Sequence, residues 1–172
     1  MVGSKSFEPE RDIHSPNRNI APISSEISES EKLSVGGCQL SELAKKYGTP
    51  LYVIDELSVR TACKTYISSL KKHYPGDSLP LYASKANSSL AMCALVSSEG
   101  FGLDAVSEGE LITAIKGGVE REKIVFHGNN KSHDELNFAY ENNVTIVLDN
   151  HHDIELLKKI TTDSKPANLM LR

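Results

Sequence analysis

The sequence predicts an α/β protein whose parallel strands build part of a (β/α)8 TIM-type barrel. Short apolar runs alternate with helix-patterned stretches, and such alternation calls for parallel strands joined by crossover helices. The runs recur at intervals of roughly 20 residues, the even spacing of a barrel. No Gly-x-Gly-x-x-Gly follows any of them, so a dinucleotide-binding sheet lacks its signature; Gly100-Phe101-Gly102 precedes a strand instead. Only about five strands fit into the 172 residues, so the barrel is incomplete and the chain reads as a fragment, or a truncated gene product, of a longer protein.

The elements follow in order. Residues 1–32 are rich in Ser, Pro, Asn and Glu, show no apolar period, and read as a flexible leader. Residues 33–55 form a lead-in segment. There Leu40, Leu43, Ala44 and Tyr47 share one helical face, Gly48 stands at the C-cap position, and Thr49-Pro50 turns the chain into extended Leu51 to Ile54. Residues 56–172 hold the barrel elements. A helix begins near Leu57, with Val59, Ala62, Cys63, Tyr66, Ile67 and Leu70 on its apolar side, and Pro75-Gly76 ends it. Strands are expected at 80–84, 102–106, 124–127, 145–148 and 168–171. Ser107 with Glu110 and Ser132 with Glu135 match the capping-box pattern at helix starts. Gly117-Gly118 and Asn142-Asn143 supply stops, and Ile154, Leu157 and Ile160 give the last helix its apolar side.

Composition narrows the function. Hydrophobic residues make up 39% and charged residues 24%, as in ordinary globular domains. A net charge of -4 without a basic stripe argues against nucleic acid. No apolar run approaches the roughly 20 residues of a membrane helix. The first thirty residues lack a signal-peptide core, and Glu8, Glu10, Asp12, Glu26 and Glu29 argue against an acid-poor transit peptide. Cys38, Cys63 and Cys93 are scattered without metal or redox spacing, which points to a reducing cytoplasm.

In a barrel of this type reactive groups gather at the C-terminal strand ends. Polar clusters stand at those places: Ser84-Lys85-Ala86-Asn87, Asp104 to Glu110, His127 to Lys131, Asp149-Asn150, and Arg172. Lys85 ends an apolar strand. A lysine partly desolvated there is a nucleophile toward a carbonyl carbon; the other reading is a solvated lysine opening a loop. A carboxylate at Asp104 could orient Arg172 through a charge-assisted hydrogen bond, or serve as a helix-entry acid. Glu110 is accounted for by its capping box. His127 suits either a ligand contact or a hydrogen-bonded structural role, and Asn129, Asn130 and Lys131 read as loop residues before the Ser132 cap. His151-His152-Asp153 has no third ligand at suitable spacing, so no metal site is expected.

Tyr82-Ala83-Ser84-Lys85-Ala86-Asn87 resembles the cofactor-lysine motif of the alanine-racemase-like barrel decarboxylases, which use pyridoxal 5'-phosphate. Gly102 to Leu111 is similar to their second-strand motif, although Glu108 replaces a more usual glycine. Ile124 to Ser132 resembles the third-strand motif of the branch acting on meso-2,6-diaminopimelate, and Leu43 to Val53 resembles that branch's lead into the fold. The likeness runs in register from about Val35 to Arg172. It implies that Lys85 carries the cofactor, with Asp104, His127 and Arg172 near it, and that the substrate is a small amino acid losing a carboxylate. It further implies a ring-stacking histidine, a glycine-rich phosphate loop, a glutamate on the pyridine nitrogen, and a β domain completing a neighbour's site in a head-to-tail homodimer. The lead-in segment is expected to pack on that β domain, and this chain alone is expected to be inactive. Two other readings remain: another barrel-type basic amino-acid decarboxylase, and a non-catalytic cofactor-binding protein or remnant.

Overall fold

The structure, a computed structural model, describes residues 5–6, 20–28 and 30–172. Contacts divide the chain into two units, Met1–Ala62 and Cys63–Arg172.

The first unit carries an antiparallel sheet in the order β1 (Lys5–Ser6), β2 (Ser25–Ile27), β3 (Leu33–Val35), β4 (Cys38–Gln39). Ser25 pairs with Val35 and Ile27 with Leu33, and Ser25 and Val35 are buried. The leader expected over residues 1–32 is therefore corrected in its described part: strands occupy 5–6 and 25–27. Strands of two or three residues and mixed polarity carry too little period to be read from sequence, and cross-strand pairing fixes them. Residues 1–4, 7–19 and 29 of that leader lie outside the described residues.

Helix α1 (Leu40–Tyr47) ends as expected at Gly48, whose φ is 82° and whose N–H donates to the Ala44 carbonyl at 2.9 Å. None of its residues is buried. Helix α2 (Glu56–His73) starts at Asp55, whose Oδ2 accepts from the Ser58 backbone N–H at 3.1 Å and from its hydroxyl at 2.5 Å. That carboxylate satisfies a first-turn donor and meets the positive end of the helix.

The second unit is a parallel sheet, β5 (Leu81–Ala83), β6 (Gly102–Ala105), β7 (Ile124–Phe126), β8 (Thr145–Leu148), β9 (Leu169–Leu171), paired in chain order. Helices α3 (Leu90–Ser98), α4 (Glu108–Lys116), α5 (His133–Glu141) and α6 (His151–Ile160) connect consecutive strands. All five strands fall within the expected ranges, and the result is a partial TIM-type barrel.

Period-two alternation divides each strand between two environments. Leu103, Ala105, Ile124, Phe126 and Ile146 are fully buried against Leu111, Ala114, Leu136, Ala139 and Leu157 of the helices. Burying each large side chain stabilises by about 1.5–3 kcal/mol. The intervening residues belong to the opposite, inner face. Ala83 pairs with Asp104, Asp104 with Val125, and Val125 with Thr145, so this row crosses four strands. Gly102 is required by close approach: a Cβ there would lie 2.2 Å from the Lys123 carbonyl oxygen and 2.6 Å from Leu81.

Candidate active site

The candidate residues stand at or just past the C-terminal ends of the strands. Lys85 is two residues beyond Ala83, His127 two beyond Val125, and Asp149 two beyond Val147. Arg172 follows β9 with its N–H donating to the Leu148 carbonyl at 3.1 Å. A cavity of about 440 Å³ at these ends is lined by Lys85, Asp104, His127, Lys131, Glu135 and Arg172, among others. All four residues singled out from the sequence as cofactor contacts, Lys85, Asp104, His127 and Arg172, therefore border one space.

Lys85 sits in a single 3-10 turn, Ser84–Ala86, directly after β5. Its neighbour Ser84 is buried, with its hydroxyl 2.8 Å from the Asp104 carbonyl oxygen and 2.5 Å from Glu110 Oε2. The backbone bearing Lys85 is thus tied to β6 and α4. The expected partial desolvation of Lys85 is corrected: the residue is exposed, because the cavity at the rim of the five strands opens to water.

Asp104 lies in a partly desolvated environment. Its side chain is 27% exposed, yet Oδ1 is buried and accepts no hydrogen bond. His127 Nε2 stands 3.6 Å from that oxygen, too far for a hydrogen bond but close enough for charge attraction. Burial pushes the Asp104 carboxyl above its ordinary value; His127 and Lys85 pull the other way, and Glu110 adds to the rise.

The expected Asp104–Arg172 pair is corrected. Arg172 Nη1 lies 2.6 Å from Asp149 Oδ1, since β8 and not β6 is the strand beside β9. The Ser107–Glu110 capping box is half formed. Ser107 accepts from the Glu110 N–H at 3.3 Å, while Glu110 Oε2 accepts from the Val106 N–H at 2.8 Å and faces Ser84. The Ser132–Glu135 box is complete.

Sequence reasoning missed a buried ion pair. Lys131 Nζ lies 2.8 Å from Asp153 Oδ2, with each side chain 1% exposed. From the sequence Lys131 reads as a loop residue, and Asp153 ends the His151-His152-Asp153 run, for which no metal site is expected. The available signal was Asn150-x-x-Asp153, a cap followed three residues on by an acid. Among the described residues, no three His, Cys, Asp or Glu side chains are placed to hold a metal ion.

Chemically, the cavity presents an accessible primary amine, an unsatisfied carboxylate, an imidazole and a guanidinium. An amine of this kind adds to an aldehyde, and the carboxylate–imidazole pair can hold or move a proton beside it.

The fold and these strand-end groups are those of a partial TIM-type barrel with a polar cavity at its rim. The family model "Pyridoxal-dependent decarboxylase, pyridoxal binding domain" matches residues 58–172, and the chain belongs to that family. Among its relatives is a diaminopimelate decarboxylase from Synechocystis, 43% identical over 167 residues, covering 92% of this chain and 36% of the relative. Another, from Bacillus subtilis, is 44% identical over 136 residues, covering 77% of this chain and 30% of the relative. The crystal structure of diaminopimelate decarboxylase from M. jannaschii superposes with a TM-score of 0.80 at 33% identity, over 87% of this chain and 35% of that one. The chain thus spans about a third of the length of the proteins it resembles.

Proposed function

We propose that this chain is the N-terminal part of the cofactor barrel of a diaminopimelate decarboxylase, a lyase converting meso-2,6-diaminopimelate to L-lysine with pyridoxal 5'-phosphate. One observation carries the reading. Lys85, Asp104, His127 and Arg172 border one cavity in a chain whose relatives at 43% and 44% identity bear that enzyme's name.

The residues present suit the cofactor. Lys85 would hold it through its amine. The orphaned Oδ1 of Asp104 awaits a donor or cation, and His127 and Arg172 supply positive or donor groups for an anionic partner. When bound, the cofactor supplies an electron sink for the carbanion left as carbon dioxide departs. The protein's own part is to orient it: Ser84 and Glu110 fix the turn that carries Lys85, and Asp149 holds the Arg172 guanidinium.

The lead-in segment supports a further domain. Tyr52 is 96% exposed and Tyr47 62%, with Leu51, Val53 and Ile54 also exposed, a surface suited to packing on a β domain. On this reading the complete enzyme is a cytoplasmic homodimer. No helix among the described residues is long and apolar enough to cross a membrane.

The test is to mix the chain with pyridoxal phosphate, reduce with borohydride and map the labelled peptide. Label on Lys85 is expected. Label confined to other lysines, or none above a denatured control, refutes the assignment.

A further inference from the structure

The acids three residues after the helix caps form a pattern that capping does not explain. Ser107-x-x-Glu110, Ser132-x-x-Glu135 and Asn150-x-x-Asp153 open α4, α5 and α6, and each cap side chain accepts from the N–H of the acid. Each carboxylate also reaches back to the preceding strand–helix unit. Glu110 meets the Ser84 hydroxyl at the end of β5. Glu135 Oε1 accepts from the Glu108 N–H at 3.3 Å, at the start of α4. Asp153 Oδ2 takes Lys131 Nζ, from the turn after β7. The three joints run round the rim on which Lys85, Asp104 and His127 stand.

The third joint differs from the others in being a buried ion pair. Lys131 Nζ donates also to the Gly128 carbonyl at 2.6 Å, so one ammonium closes the turn from Gly128 to Lys131 on itself. Gly128 takes φ 109°, which suits a residue without a side chain. Asp153 Oδ2 accepts as well from the Asp149 N–H at 3.0 Å, binding the same joint to the end of β8, whose Asp149 holds Arg172. One carboxylate thus ties the turn after His127 to the strand end beside Arg172. A buried pair contributes little net stability over apolar side chains of the same volume. What the pair does is join the Gly128 carbonyl, the Asp149 N–H and the two side chains at one point.

We propose that Asp153, with Lys131, is a positioning residue of the cavity: it fixes the Gly128–Lys131 turn and so holds His127 beside Asp104. The proposal rests on the reading of this cavity as the pyridoxal phosphate site. Its consequence for binding requires that role, while its consequence for His127 does not.

The experiment compares the chain with the double variant Lys131→Met/Asp153→Leu, which removes both charges together. The double variant is expected to fold with a lowered melting temperature, because the Asp149 N–H and the Gly128 carbonyl lose their partners. The His127 ring resonances shift or broaden in the cofactor-free variant, and pyridoxal phosphate affinity falls roughly tenfold, as misplacement of a contact group requires. Unchanged His127 resonances, or unchanged affinity in a chain that binds the cofactor, overturns the proposal. Should the unchanged chain fail to bind pyridoxal phosphate, the proposed function fails and the His127 resonances alone decide this one. Should the double variant fail to fold, amine acetylation of the native unchanged chain decides. Lys131 must then be modified far more slowly than Lys85, and equal rates overturn the pairing on which the proposal stands.

Discussion

Replacing Asp104 by Asn is expected to stabilise the chain at neutral pH while weakening its hold on pyridoxal phosphate. Oδ1 of Asp104 is buried and unpaired, and such burial penalises the charged carboxylate more than the neutral amide that would replace it, by about 1–3 kcal/mol. The 27% exposure of the side chain places the gain near the lower end, about 1 kcal/mol. For a chain of this size that raises the melting temperature by roughly 2–4 °C. The sign with pH follows from the cause. Burial raises the folded carboxyl above its unfolded value, against the pull of His127 and Lys85. Asp104 therefore contributes stability below the ordinary carboxylate range and loses it as pH rises through the folded value. The advantage of Asp104→Asn is largest at neutral pH and disappears in acid. Thermal melts of both chains across that range measure it. A variant less stable at neutral pH, or an advantage that does not change with pH, refutes the assignment of burial as the dominant effect.

Phe126 is fully buried between β7 and the helices, so Phe126→Ala is expected to cost about 3–5 kcal/mol in urea unfolding. Asp55 is desolvated, yet hydrogen bonds from Ser58 and Ser24 outweigh that and hold its carboxyl below the ordinary value. Its stabilisation is present above the unfolded value and lost as pH falls through the folded one; Asp55→Ala removes the α2 cap at a cost of about 1 kcal/mol at neutral pH, read by thermal melts. The Arg172 side chain is 61% exposed, so Arg172→Ala is expected to change stability by less than about 1 kcal/mol while weakening cofactor affinity, measured by melting and titration.

The sequence by itself determined the strand–helix alternation, the five strands and the residues at their ends. Burial of alternate residues writes a period that needs no long-range information, as at Leu103, Ala105, Ile124 and Phe126. Caps such as Ser132 with Glu135 are equally local, being closed within three residues. Even the gathering of Lys85, Asp104, His127 and Arg172 followed, because strand ends in a parallel sheet share one rim. What the tertiary structure alone decided is which charge meets which. Arg172 turned to Asp149 because β8 is the strand beside it; Glu110 left its own cap for Ser84; Lys131 and Asp153, 22 positions apart in the chain, were buried together. The strands of residues 5–6 and 25–27 also waited on it, since segments so short acquire order only from their pairing. Local patterns fix backbone shape through nearest-neighbour sterics and burial. A polar partnership depends on distances between distant segments, which only the packed sheet sets.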